Sequence, residues 1–403
     1  MRRTPTGPLA GLSLLLLLAT VATGCRQGTF FGERYNNFRA YYNTFYNARK
    51  AFEEGEEQLV RLDERIDRSR FLPVFADVPS EGGGARAGGT GGPFQSAIDK
   101  SADLLRERPD SKWADDALLL IGRSYFYQRN LVGAEAKFRE TIAAAEERGQ
   151  GELTDEARYW LGRTLAAQER YEEAVSVIEE GLAREGLARR WRARMQLALA
   201  EQYVQQREWA AAAEALRAGL DDLRDADLAG RASFLLGQVL EAGGDVDGAA
   251  EAYRAVERYR PYYELLYAAQ LSRARVLGLD AGRHDEALAL IRRMRRDDKN
   301  FQNRAEVELT YARLLAAAGR HDEARDRFEA LLYEIEEGEE FAGVSVPRSE
   351  THYYYGAFYR DRLDDYVRAA AYLDTAATGL RTDPGREALV TRAALTGVRR
   401  EAD

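Results

Sequence analysis

The chain has 403 residues, 67 acidic against 58 basic side chains, a single cysteine and a formal charge of −9. An acidic balance argues against a nucleic-acid-binding surface. One cysteine excludes an intrachain disulfide, so stability has to come from packing.

In chain order, Met1-Arg2-Arg3 forms a short positive start, an apolar run covers Leu9 to Ala22, and Ala22-Thr23-Gly24-Cys25 follows. A run of this length is too short to span a bilayer and fits the core of a secretory signal. The small residues before the cysteine resemble the lipobox of bacterial lipoproteins, with Ala22 where Leu is usual. That resemblance implies a signal peptide over 1–24, cleavage after Gly24 and lipidation of Cys25. Each buried CH₂ contributes roughly 0.8 kcal/mol, so two or three acyl chains hold a protein on a membrane essentially permanently. Loss of Arg2 and Arg3 takes the mature chain to −11 (−9 − 2). Arg26 and Gln27 follow the cysteine, with no Asp at the second position. By resemblance to known sorting rules this favours an outer-membrane lipoprotein facing the periplasm, with residues 25–34 as lipidated N-terminus and tether.

Residues 35–109 read as an interrupted first repeat unit. Its first helix is expected over about Tyr35 to Arg65, and Tyr35, Phe38, Tyr42, Phe45 and Phe52 follow a 3-4-3-7 spacing along one helical face. Two readings of that stripe stay open: packing on the first repeat, or a partner-binding surface beside the anchor. An insert over 67–93 carries the glycine-dense tract Gly82–Gly92, which cannot repay its ordering entropy and is expected to be a flexible loop. Phe71-Leu72-Pro73-Val74-Phe75 within the insert is apolar and expected to dock. Ala97, Ser101, Leu104 and Pro109 then keep a second-helix spacing of 4, 3 and 5.

From 110 to 383 the chain repeats itself seven times. Gly122, Gly162, Gly237 and Gly356 each follow a large apolar or aromatic residue, and three residues later stands Tyr125, Leu165, Leu240 or Tyr359. Ala200 and Ala312 hold the same slot in two further units. The second-helix alanines are Ala134, Ala174, Ala212, Ala249, Ala287, Ala324 and Ala369, spaced 40, 38, 37, 38, 37 and 45. Four residues after them come Phe138, Ile178, Leu216, Tyr253, Phe328 and Leu373, among others. Gly-Arg-His-Asp-Glu-Ala occurs twice, at Gly282 and Gly319, a sign of internal duplication. This small–large pattern predicts an all-α tetratricopeptide (TPR) helix-pair solenoid, a right-handed superhelix whose turns are longer than the ideal repeat of about 34 residues. Stacked pairs present a concave face on which a partner peptide or helix docks. Residues 384–403 are left as a C-terminal helix or tail.

The candidate chemistry is thin. His284 and His321 occupy equivalent turns and read as surface residues copied with the repeat, and His352 lies among Tyr353, Tyr354 and Tyr355. Asp115-Asp116 and Asp297-Asp298 are adjacent, so on a helix they point about 100° apart and do not converge as an acid–base dyad. Patterns for a serine nucleophile, a zinc protease or a phosphate loop are missing. Arg189-Arg190-Trp191-Arg192 with Arg194, and Arg292-Arg293 with Arg295-Arg296, read as solvated faces or contacts to acidic groups. The expectation is no enzyme, no cofactor, no metal site, no small-molecule substrate and no nucleic acid.

Several stretches resemble more than a generic repeat. They are Tyr41–Gly55, Leu72-Pro-Val-Phe75, Ser96-Ala-Ile-Asp-Lys100, Lys112–Tyr127, Arg260–Tyr267 and Asp297-Asp-Lys-Asn300, in that order. Together they resemble the SprE/PorW-type tetratricopeptide lipoproteins of gliding motility and type IX secretion, from about Tyr35 to Ala376. The resemblance implies an outer-membrane lipoprotein scaffold whose partners are envelope proteins of the secretion machine. The members of that family are longer, with a C-terminal extension. A lipoprotein resembling BamD, assisting outer-membrane β-barrel assembly, shares anchor, compartment and repeat type and is the alternative.

Overall fold

Among the described residues the chain is predominantly helical and contains no strand. The computed structural model describes residues 44–60, 66–75, 92–333, 344 and 346–380. Cys25, Tyr35, Phe38 and Tyr42, the glycine-dense tract up to Gly91 and the tail 384–403 lie outside them. Sixteen helices follow in order: α1 Tyr46–Val60, α2 Pro93–Glu107, α3 Ala114–Tyr127, α4 Leu131–Glu147, α5 Gly151–Ala167, α6 Tyr171–Leu182, α7 Arg189–Gln205 and α8 Trp209–Asp222. Then come α9 Ala226–Ala242, α10 Val246–Ala255, α11 Tyr263–Arg275, α12 His284–Arg295, α13 Arg304–Ala317, α14 His321–Tyr333, α15 Arg348–Leu363 and α16 Tyr366–Leu380.

The chain divides into two units, 1–63 with 75–202, and 64–74 with 203–403. In the first, α1 to α6 pack each on the next, and α3 also meets both α1 and α5. In the second, α8 to α16 do the same, and α9, α11, α13 and α15 form the inner line. Each unit is therefore a stack of antiparallel helix pairs.

The crossing of each pair explains the small–large register. A Cβ on Gly122 would lie 2.7 Å from the Phe138 ring, on Gly162 2.5 Å from Ile178, on Gly237 2.6 Å from Tyr253 and on Gly356 2.8 Å from Leu373. All seven register alanines are fully buried. Gly122→Leu is thus expected to overpack the α3–α4 crossing and cost about 1–3 kcal/mol. The check is thermal unfolding followed by tryptophan fluorescence, which reports mainly the first unit because Trp113, Trp160 and Trp191 lie there. An unchanged melt would mean that the crossing can widen.

The first and sixth pairs meet differently. Gly55 of α1 lies against Phe94, which precedes Ala97 instead of following it. In the sixth pair a π turn, Val276–Asp280, extends α11 and brings Gly278 against Leu314 and Ala287.

Every full pair turns in the same way. Arg129, Glu169, Arg207, Gly244, Gly282, Gly319 and Asp364 all have positive φ, between 52° and 83°. The next residue donates its N–H back across the turn, as from Asn130 to Tyr125 O (2.9 Å), Arg170 to Leu165 O (3.0 Å) and Arg320 to Leu315 O (2.9 Å). This is the left-handed helix stop that glycine fills most cheaply, and four of the seven positions hold it without glycine. The duplicated turns also share an ion pair: Arg283 grips Glu286 and Arg320 grips Glu323, each through two guanidinium nitrogens.

Candidate functional site: the inner face of the first helices

In several first helices the residue after the small slot is polar and gathers side chains from neighbouring helices or the 66–75 segment. In the first unit these are Arg123 and Arg163. Arg123 donates to Glu56 Oε1 (2.9 Å) and Glu156 Oε1 (3.4 Å), and its guanidinium sits over the rings of Phe52 (4.4 Å) and Trp160 (5.0 Å). Arg163 is buried and stacks on Phe75 (4.5 Å), Trp160 (4.9 Å) and Phe126 (5.1 Å), while donating to Tyr159 Oη (3.2 Å). Such cation–aromatic stacks gain strength as they lose water. The Phe75 N–H donates to Glu201 Oε1 (3.3 Å), so this end of the docked segment is held by both charge and ring.

The aromatic stripe of α1 belongs to the same packing. Phe45 is buried and stacked on Trp113 at 5.2 Å. Phe52 is 2% exposed, with its ring against Phe94 (5.5 Å) and Tyr127 (5.7 Å). This corrects the partner-surface reading for these two residues, because a side chain consumed by its own core has no area left to offer. Tyr35, Phe38 and Tyr42 lie outside the described residues.

Asp115 and Asp116 separate as helix geometry requires. Asp115 is buried and takes Arg148 Nη1 at 3.0 Å on both oxygens. Asp116 is pushed up to about 6, first by burial and then by the carboxylates of Asp115 and Glu156. A raised carboxyl stabilises the fold below its ordinary value of 3.8, and that contribution is lost as pH rises through about 6. Asp116→Asn is therefore expected to raise stability at pH 7.5 by about 1–3 kcal/mol, with the gain fading towards pH 4. Melting temperatures of both proteins across that window test it, and a pH-independent difference would rule out this origin.

In the second unit the inner face holds residues 66–74 of the chain itself. Asp67 caps a turn by accepting from the Ser69 N–H (3.0 Å), and Phe71 to Pro73 then run without regular secondary structure to a bend at Val74. The Gln238 amide brackets residue 71: Nε2 donates to Arg70 O and Oε1 accepts from the Leu72 N–H, both at 2.8 Å. Two turns earlier on α9, the buried Arg231 donates to Pro73 O (2.8 and 3.1 Å) and Val74 O (3.1 Å). Leu72 and Val74 are buried, and Phe71 stacks on Trp209 at 5.3 Å. Arg68 pairs with Glu306 and lies over Tyr267 (5.6 Å).

Beside this segment lies a cavity of about 780 Å³, with Arg275, Thr310, Arg313 and Tyr354 in its wall. Arg275 donates from Nη2 to both oxygens of Glu241 at 2.5 Å, while Arg313 stacks on Tyr354 at 3.8 Å. Periodicity alone does not announce Gln238 and Arg231. The signal for Gln238 is that a polar residue follows the small slot at Gly237, as at Arg123 and Arg163, where a buried helix would carry an apolar one; Arg231, two turns earlier, has no such signal.

The other candidates stay apart. His284 and His321 open α12 and α14, and His321 lies edge-on to Phe358. His352 stacks on Tyr372, and burial followed by Arg348 lowers its pKa. In the arginine clusters Trp191 is buried, Arg190 meets Glu152 (2.9 Å), Arg293 meets Glu257 (3.6 Å) and Arg295 pairs with Glu308.

Helix pairs with this crossing, turn and inner face define an all-α fold of the tetratricopeptide type. Residues 142–334 match the model of DUF6880, a family of unknown function. No curated protein matches the chain. Similar solved structures include a tetratricopeptide repeat protein from Parabacteroides merdae, at 16% identity over 70% of this chain and 98% of that one, with a TM-score of 0.42. The TPR domain of P58(IPK) is similar at 11% identity over 88% and 99%, TM-score 0.25. The TPR2AB domain of yeast Sti1, from its complex with pHSP90, is similar at 11% identity over 54% and 91%, TM-score 0.25.

Proposed function

We propose that the chain is an outer-membrane lipoprotein, anchored through Cys25 and facing the periplasm, that acts as a non-enzymatic scaffold in type IX secretion and gliding. The observation that carries this reading is that the motif blocks resembling SprE/PorW-type lipoproteins meet one another. Tyr263, from the Arg260–Tyr267 block, donates its hydroxyl to Asn300 Oδ1 at 2.8 Å, and Asn300 closes the other block. Phe45 from the Tyr41–Gly55 block stacks on Trp113 of the Lys112–Tyr127 block. Stretches shared in order and packed in pairs support common descent of the scaffold, and the lipobox supports the compartment.

Two experiments test the proposal. Cys25→Ser is expected to move the protein from the membrane fraction to the soluble periplasm, and unchanged fractionation would remove the anchor from the account. Affinity purification from solubilised envelopes is expected to recover components of the secretion motor or ring. Recovery of β-barrel assembly proteins without them would favour the BamD-like alternative.

A further inference from the structure

We infer that the inner face of the second unit is a receptor for an extended peptide of the type aromatic–aliphatic–proline–aliphatic, and that Phe71-Leu72-Pro73-Val74 occupies it in cis until a partner segment of the same chemistry displaces it. The inference rests on the reading of the chain as a partner-binding scaffold and names the site and the partner's chemistry.

Three features of the contact are those of a bound ligand. First, recognition is through the backbone. Gln238 pairs with the carbonyl and N–H on either side of residue 71, as a neighbouring β-strand would, and Arg231 takes the carbonyls of Pro73 and Val74. The two residues stand seven apart on α9, a rise of about 10.5 Å, which matches roughly three residues of extended chain. These contacts accept any sequence that can lie extended. Second, specificity comes from alternate side chains. Leu72 and Val74 point inward and are buried, while Phe71 stays 37% exposed on Trp209 and Pro73 faces out. Pro73 needs no N–H partner here, and its fixed φ lowers the entropy lost on docking. Third, the segment belongs to no helix pair. It reaches α9 across 166 residues of sequence, from Leu72 to Gln238, so the receptor face forms from the repeats and the segment is added to it.

A cis segment competes as a ligand at high effective concentration, which keeps a free peptide out unless it binds better or the segment is weakened. The test uses the full-length chain carrying Cys25→Ser and a fluorescein-labelled peptide copying Asp67–Phe75, with fluorescence anisotropy as readout. Leu72→Ser with Val74→Ser, which loosens the resident segment, is expected to tighten peptide binding about tenfold or more over the parent chain. Adding Gln238→Ala and Arg231→Ala should abolish the gain. A loosened variant that keeps the parent's helical circular dichroism and binds no tighter overturns the inference.

A locked variant serves where the loosened one loses its fold. Phe71→Cys with Trp209→Cys replaces two stacked rings 5.3 Å apart. With the disulfide verified by mass spectrometry, it should refuse the peptide when oxidised and accept it when reduced, and equal binding in both forms overturns the inference. Peptide binding that fails while envelope partners are still recovered removes this site alone. Partner recovery that fails while the peptide binds removes the scaffold assignment alone.

Discussion

Replacing Phe52 with alanine is expected to lower the stability of the first unit by about 3–5 kcal/mol, the loss typical of a fully packed aromatic ring. Phe52 joins three things. Its ring packs edge-on against Phe94 of α2 and tilts onto Tyr127 of α3, and the Arg123 guanidinium lies over it at 4.4 Å. Arg123 in turn ties α1 to α3 and α5 through Glu56 and Glu156. Truncation therefore opens a cavity and leaves a largely dehydrated arginine with one aromatic face fewer. The partner-surface alternative for the stripe makes a different demand, loss of partner recovery at unchanged stability. Circular dichroism and tryptophan melts of Phe52→Ala and Phe45→Ala separate the two, and a change below about 1 kcal/mol would place these rings outside the core. Because stacked repeats need not unfold in one step, the comparison belongs to the first unit's transition.

The fold was legible because two helices that cross closely leave a chemical trace at fixed spacing. Gly122 with Phe138, Gly162 with Ile178, Gly237 with Tyr253 and Gly356 with Leu373 are contacts readable as a small residue and a large one sixteen or seventeen positions apart. The trace fails where the backbone departs from the α-helix. The π turn at Val276–Asp280 adds a residue, so Arg275 stands where the count from Ala287 expects a small side chain, and buried Ala274 stands one place earlier. The left-handed turns at Arg129, Glu169, Arg207 and Asp364 were hidden because three sister positions carry glycine and these do not.

The inner face was harder for a different reason. An aromatic stripe has the same spacing whether it meets its own core or a partner, so Phe45 and Phe52 could not be assigned by periodicity. The docking of Phe71–Phe75 followed from its apolar character amid glycine. Its receptor did not, since Gln238 and Arg231 lie more than 150 residues away and no local rule links a glutamine to a distant carbonyl.

Arg184→Ala is the second change expected to be severe. Asp155 sits in the first turns of α5 with its side chain fully buried, and the guanidinium just past the end of α6 meets both of its oxygens. The preceding pair repeats the device with Asp115 and Arg148, but there only one nitrogen reaches the carboxylate and the arginine is more exposed, 43% against 28%. In each case a cation at a second helix's C-terminus also complements the helix dipole. A buried ion pair is weak evidence of net stabilisation, yet removing one partner strands the other charge without water or hydrogen bonds. That loss is about 3–5 kcal/mol in closed sites, and about 2–4 kcal/mol is expected for Arg184→Ala because its own surroundings are partly open to solvent. Arg148→Ala should cost less. The double change Asp155→Leu with Arg184→Met should recover most of the loss, since apolar groups of similar volume replace the pair without stranding a charge. Denaturant unfolding of the four proteins, followed through Trp160 and Trp191, measures all of this. A single-variant loss under about 1 kcal/mol would mean that the pair behaves as a solvent-screened surface contact despite the burial of Asp155.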